Sequence, residues 1–146
     1  MEADENSMLH AKKPVSVGHI SLEVSNLTAA KKFYGPLLDE LGFKVILEDE
    51  ETLGWSNENF KIFLGKPNGQ RVSKKRLSED EFLIAEHVAL LLGSRSDVNA
   101  VAACMSKHGV NPFFPAEEHP EFVPGYYSVS YVDPDNNVLE LYSTST

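Results

Sequence analysis

Three residues in this sequence have the types and positions that a metal site needs: His19, His87 and Glu140. The two histidines occupy the same place in two similar segments, GHISLEV and EHVALLL, and Glu140 stands between two leucines. If these segments are strands, alternation turns all three polar side chains away from their apolar neighbours. Two imidazoles and one carboxylate can bind a divalent metal and leave open positions for substrate or water. A lone strand histidine is usually hydrogen-bonded and a glutamate near a C-terminus is usually solvated, so the hypothesis depends on the three converging.

The elements that must position these residues occur twice along the chain. Each half begins with an alternating strand, continues with an apolar stripe at helical spacing that ends at a glycine, and finishes with further strands. The repeat offset is 68 residues between His19 and His87 and 67 residues between Gly42 and Gly109. Pro36 lies inside the first helical stripe and predicts a kink or break there. Two copies at nearly one offset predict a pseudo-symmetric α+β domain built by duplication.

Composition changes set the expected boundaries. We predict a flexible leader over 1–14, because it is polar and ends in Lys-Lys-Pro, and a single domain over 15–146. Within the domain, module one covers about 15–65 and module two about 83–143. Between them lies a linker over about 66–82, where Gly, Lys, Arg, Ser and Asp dominate.

Charge and composition exclude several classes of function. With 13 Lys and Arg against 22 Asp and Glu, the net charge of −9 argues against binding to nucleic acid or to an anionic membrane. The single cysteine permits no internal disulfide, and no apolar run approaches the roughly 20 residues of a membrane span. We therefore expect a cytoplasmic protein that binds neither nucleic acid nor a membrane.

The chain resembles the vicinal oxygen chelate superfamily, which includes glyoxalases, bleomycin resistance proteins and extradiol dioxygenases. The resemblance covers about 15–142. It is carried by GHISLEV, by Phe-Tyr followed by Leu-Gly-Phe in the first half, and by EHVA and DPDNNVLE in the second. It implies two βαβββ modules whose curved mixed sheets enclose a cavity, with His19, His87 and Glu140 at the ligand positions. It also implies a homodimer, and in several relatives the ligands of one site come from both chains.

The resemblance leads to two functional hypotheses. The first is a metal-dependent lyase, isomerase, transferase or dioxygenase that acts on a substrate with vicinal oxygens through one divalent ion, Mn, Fe, Ni or Zn. The alternative is a metal-free small-molecule binding protein of the drug-sequestering kind, which uses the same fold. Glyoxalase I-like members usually have a fourth protein ligand near the end of module one, but aligning the two modules places Phe63 opposite Glu140. A phenyl ring binds no metal, so we expect three protein ligands and an apolar wall.

Two further groups of residues are candidates for the cavity. Tyr126 and His119 flank a segment shaped by two prolines and a glycine, and with Glu140 they are candidates for proton transfer. The simpler interpretation of that segment is a rigid loop with surface aromatics. The candidates for substrate contacts are Trp55, Phe63, Ser128 and Ser130. Aromatic residues in short strands such as these more often belong to the core.

Overall fold

The computed structural model describes residues 15–67, 78 and 86–145, and these form two modules of one helix and four strands each. Module one contains β1 (His19–Glu23), α1 (Leu27–Glu40), β2 (Lys44–Glu48), β3 (Thr52–Ser56) and β4 (Lys61–Gly65). Module two contains β5 (His87–Leu91), α2 (Arg95–Lys107), β6 (Phe114–Glu118), β7 (Tyr127–Val132) and β8 (Val138–Ser143). The predicted leader and most of the predicted linker lie outside the described residues.

The two sheets have the same topology. Their strand orders are β1-β4-β3-β2 and β5-β8-β7-β6. The first and last strands of each module pair in parallel, and the other neighbours are antiparallel. The predicted α+β fold with two repeated modules is therefore confirmed. The sequence analysis did not single out β6, because its sequence FPAEE has a proline and two glutamates and little of the β-branched character of a strand.

The two helices show the duplication most directly. The cap residue of each helix is followed directly by a glycine with positive φ, Gly42 at 83° and Gly109 at 77°. After each helix the same two backbone bonds follow: Phe43 and Val110 donate to the third carbonyl before the cap, and the glycines donate to the second. The first helix continues through Pro36 as one element, so the expected break is absent. Among the described residues no helix is long and apolar enough to cross a membrane.

Each sheet packs one face on its helix, and we call the opposite face the site face. The helix side holds the core, including Ile62 and Leu64 of β4 and Leu139 and Leu141 of β8. Alternation and strand register place the following residues on the site faces: His19, Ser21, Gly54, Lys61 and Phe63 in module one, and His87, Ala89, Ser128, Ser130, Glu140 and Tyr142 in module two.

A buried polar network joins the modules beside the contact between α1 and α2. The hydroxyl of Tyr34 on α1 donates to Asp133 Oδ2 at 2.6 Å, and Asn137 Nδ2 donates to the same oxygen at 2.9 Å. Asn137 Nδ2 also lies 3.1 Å from the Glu23 carbonyl oxygen at the end of β1. The Asp-Pro-Asp-Asn-Asn segment is thus the turn between β7 and β8 and, in addition, a point of contact between the two modules.

Candidate metal centre

Module two brings two of the three predicted metal ligands together. Glu140 pairs in register with Ala89 of β5, two residues beyond His87 on the same face. His87 Nε2 lies 3.4 Å from Glu140 Oε1, and the Glu140 side chain is 11% exposed. The prediction from strand alternation that these two residues share a face therefore holds in the structure. An imidazole nitrogen and a carboxylate oxygen that face one another have the donor chemistry of a site for a divalent ion.

The second oxygen of Glu140 has its own partner. Tyr126, the residue before β7, donates its hydroxyl to Glu140 Oε2 at 2.5 Å. Burial, together with the neighbouring carboxylate, raises the pKa of Tyr126 above its ordinary value, so the hydroxyl keeps its proton. Tyr126 was predicted as a residue for proton transfer, and the structure places it in direct contact with the carboxylate.

Two buried hydroxyls line the same face. Ser130 pairs in register with Glu140, and Ser128 pairs with Tyr142. Both serines are buried beside this carboxylate. Their positions suit the predicted role in holding polar groups of a substrate.

Module one carries the third predicted ligand in different surroundings. His19, the first residue of β1, packs edge to face on Phe63 with ring centroids 5.7 Å apart. The Phe63 ring lies over Gly54, where a Cβ atom would approach two ring carbons to 2.9 Å. Lys61 pairs in register with His19 and is exposed on the same face. This half of the candidate site is an imidazole beside an apolar ring and one cation.

The strand register supports the alignment of Phe63 with Glu140. Phe63 of β4 pairs with the residue two positions after His19, and Glu140 of β8 pairs with the residue two positions after His87. The two residues therefore hold equivalent places on the site faces of equivalent strands. A slip of one residue, which would have buried Phe63 in the core, did not occur.

The described residues of one chain do not bring the three predicted ligands together. Across residues 15–67, 78 and 86–145 no group of three or more His, Cys, Asp or Glu side chains is close enough to hold a metal ion. His87 and Glu140 supply suitable donors on one sheet, while His19 lies on the other sheet with Phe63. Among the described residues His87 and Glu140 supply two donors suited to a divalent ion, and a third donor at this place must come from beyond the described part of the chain.

The connection between β6 and β7 forms a wall beside Glu140. His119 stacks on Phe122 at 5.3 Å, Phe122 contacts Tyr126 edge to face at 5.3 Å, and Tyr126 stacks on Tyr142 at 4.8 Å. His119 Nδ1 lies 3.0 Å from Glu121 Oε1, and this hydrogen bond lowers the pKa of Glu121. The sequence analysis missed Tyr142 and Phe122. Strand parity could have found Tyr142, since it stands two residues after Glu140.

Trp55, predicted as a substrate contact, belongs to the hydrophobic core instead. It is 3% exposed and lies among the core residues of module one. Its neighbour Gly54 faces Phe63, so alternation turns the indole toward the helix side. This correction leaves Phe63 as the aromatic residue of module one on the site face.

Comparison with known proteins places this architecture in one family. A model described as the Glyoxalase/Bleomycin resistance protein/Dioxygenase superfamily matches residues 16–141. The uncharacterized protein YqjT of Bacillus subtilis strain 168 is 27% identical over 133 residues, which cover 87% of this chain and 98% of that protein.

Solved structures of the same architecture are similar over most of their length. A glyoxalase/bleomycin resistance protein from Albidiferax ferrireducens T118 has a TM-score of 0.68 at 20% identity, covering 86% of this chain and 96% of that one. A lactoylglutathione lyase from Agrobacterium tumefaciens has a TM-score of 0.63 at 19% identity, covering 90% and 96%. With the family model matching nearly the whole described fold, the chain belongs to the Glyoxalase/Bleomycin resistance protein/Dioxygenase superfamily.

Proposed function

We propose that this protein is a metal-dependent enzyme of the vicinal oxygen chelate type whose sites are completed by a second copy of the chain. His87 and Glu140 of one chain and His19 of another would hold one divalent ion, Mn, Fe, Ni or Zn. The observation that carries the proposal is the contact between His87 Nε2 and Glu140 Oε1 at 3.4 Å on a site face of module two. Bound there, the ion would act as a Lewis acid toward two neighbouring oxygens of a small substrate.

The edges of the two sheets support a homodimer. β1 and β5, the strands that carry the histidines, are edge strands in their sheets. Val17, just before β1, and Leu91, the last residue of β5, are 57% and 64% exposed, and a depression of about 600 Å³ is lined by residues of both strands such as Ile20 and Leu90. Exposed apolar edges of this kind are normally covered. A second copy that covers them with its own edges brings a strand with His19 toward a strand with His87.

The other side chains of the composite site define the class of substrate. Ser128 and Ser130 offer buried hydroxyls beside Glu140, and they can bind the oxygens of a polar head group. Phe63 and Lys61 would enter from the other chain with His19, one as an apolar wall and the other as a cation. His119, oriented by Glu121 at the end of β6, is our candidate for proton transfer at the mouth of the site. These groups favour a small, partly hydrophobic substrate with two neighbouring oxygens.

A mixing experiment tests both the metal and the shared site. We expect protein purified without chelator to contain about one divalent ion per chain, and His19→Ala and His87→Ala each to lose it. If each site takes His19 from one chain and His87 from the other, random re-pairing of the two variants restores about a quarter of the wild-type metal content. No recovery in verified mixed dimers would contradict the shared site. Wild-type protein that contains no metal and binds none on titration would contradict the enzyme hypothesis.

The second candidate is a metal-free small-molecule binding protein. It is favoured by the observation that the described residues of one chain hold no group of three metal donors. Under this hypothesis His19 and His87 line a cavity and need no ion. Elemental analysis separates the two candidates, because a binding protein of this kind would contain no bound metal. Such a protein would also keep its ligand affinity after treatment with a chelator.

A further inference from the structure

The carboxylate of Glu140 has two oxygens with different partners. Oε1 faces His87 Nε2 at 3.4 Å, while Oε2 accepts the Tyr126 hydroxyl at 2.5 Å. A carboxylate can bind a metal through one oxygen or through both. Which of the two occurs depends on whether the second oxygen is already occupied by a donor.

We propose that Tyr126 is a positioning residue, which occupies Glu140 Oε2 and leaves Oε1 as the single oxygen that Glu140 offers to a metal. The proposal rests on the metal site proposed above. It changes the predicted role of Tyr126, because a hydroxyl committed to Glu140 orients the ligand and does not itself supply a proton to the substrate. By limiting Glu140 to one oxygen, Tyr126 keeps a further position on the ion available to a chelating substrate.

The surroundings of Tyr126 hold its hydroxyl in place. Its ring stacks on Tyr142 at 4.8 Å with an angle of 16°, and Phe122 packs against it edge to face. Its carbonyl accepts the His119 N–H at 2.8 Å, and its own N–H donates to the Val123 carbonyl at 3.2 Å. A side chain fixed by packing and backbone bonds can define the orientation of a metal ligand.

The chain offers a matched pair of variants for the test. Tyr126→Phe and Tyr142→Phe each remove one phenolic oxygen from the same aromatic stack, and the Tyr126 hydroxyl is the one bonded to Glu140. Each variant is titrated with Mn²⁺ and with Co²⁺, whose visible absorption weakens as its coordination number rises. Melting temperature and circular dichroism establish that both variants are folded.

We expect Tyr126→Phe to weaken Mn²⁺ binding about 10- to 100-fold and to lower the Co²⁺ absorption, as Glu140 becomes free to bind through both oxygens. Tyr142→Phe should leave both quantities close to those of the wild type. Equal effects of the two variants would overturn the proposal, because the stack and not the hydroxyl would then matter. So would a wild-type affinity and spectrum in folded Tyr126→Phe. Wild-type protein that binds neither ion would overturn the proposed function itself, and the role of Tyr126 with it.

Discussion

The two modules share a topology, and one connection and one pair of equivalent residues distinguish their site faces. The strands β2 and β3 of module one are joined by the three residues 49–51, whereas β6 and β7 of module two are joined by the eight residues 119–126. The longer connection carries His119, Phe122 and Tyr126, and it brings the Tyr126 hydroxyl to Glu140. At the place of Glu140 module one has Phe63, seated on Gly54. Module two therefore carries the contacting polar side chains His87, Glu140 and Tyr126. The site face of module one carries a histidine, a cation and an apolar ring.

The largest effect we predict follows from removal of His87, one of the two proposed metal donors of module two. We expect His87→Ala to reduce the metal content from about one ion per chain to nearly none, because two protein donors hold a divalent ion far less tightly than three. His108→Ala is the matched control, since His108 caps α2 and its Nδ1 contacts the Cys104 carbonyl at 2.9 Å. Elemental analysis of the two variants is the measurement. Unchanged stoichiometry in His87→Ala would remove His87 from the site.

The turns that precede β4 and β8 provide a second comparison. Asn57 Oδ1 accepts two backbone N–H groups within module one, while Asp133 does the same at Oδ1 and uses Oδ2 to bind Tyr34 across the modules. Tyr34→Phe should lower the free energy of unfolding by about 1–3 kcal/mol, because it removes a donor from a buried carboxylate. Tyr127→Phe is the control, since the Tyr127 hydroxyl bonds Asn99 at an exposed position.

Urea unfolding of these two variants measures how much the contact between the modules contributes. The surface change Tyr127→Phe should alter stability by less than about 0.5 kcal/mol. Equal losses in the two variants would mean that the bond between Tyr34 and Asp133 adds little to the association of the modules, which then depends on the other contacts between them, including the bond from Asn137 to the Glu23 carbonyl.

A substitution at Phe63 can give module one the carboxylate that module two has at the equivalent position, Glu140. We expect Phe63→Glu to add a fourth ligand beside His19 and to raise metal affinity about tenfold, or about 1.4 kcal/mol, while it closes a position that a chelating substrate would use. Phe63→Gln is the matched control, with the same shape and no charge. Isothermal titration with Mn²⁺ measures the difference. A Phe63→Glu chain that binds metal less tightly or does not fold would show that Phe63 is a packing residue.

Local rules predicted a large part of this structure. Strand alternation was sufficient to place Glu140 and His87 on one face, and positive φ at Gly42 and Gly109 explains why both helices end where the sequence indicates. The separation of His19 from the other two ligands depends on how whole sheets pack, and no local pattern encodes that. Similarly, the bond from Tyr126 to Glu140 depends on the path of a long connection.

The smallest effect we predict concerns residues 119–126, the long connection of module two, which is only three residues long in module one. The hydrogen bond from His119 keeps the pKa of Glu121 below its ordinary value. A carboxylate with a lowered pKa adds stability at pH values above the ordinary glutamate pKa, and this contribution is lost as the pH falls through the lowered value. His119→Gln should therefore raise the Glu121 pKa toward its ordinary value, as followed by an NMR titration. His108→Gln, a change at a histidine on α2, should leave it unaltered. An unshifted Glu121 pKa in the His119 variant would mean that the hydrogen bond between the two side chains does not lower the Glu121 pKa and adds nothing to stability.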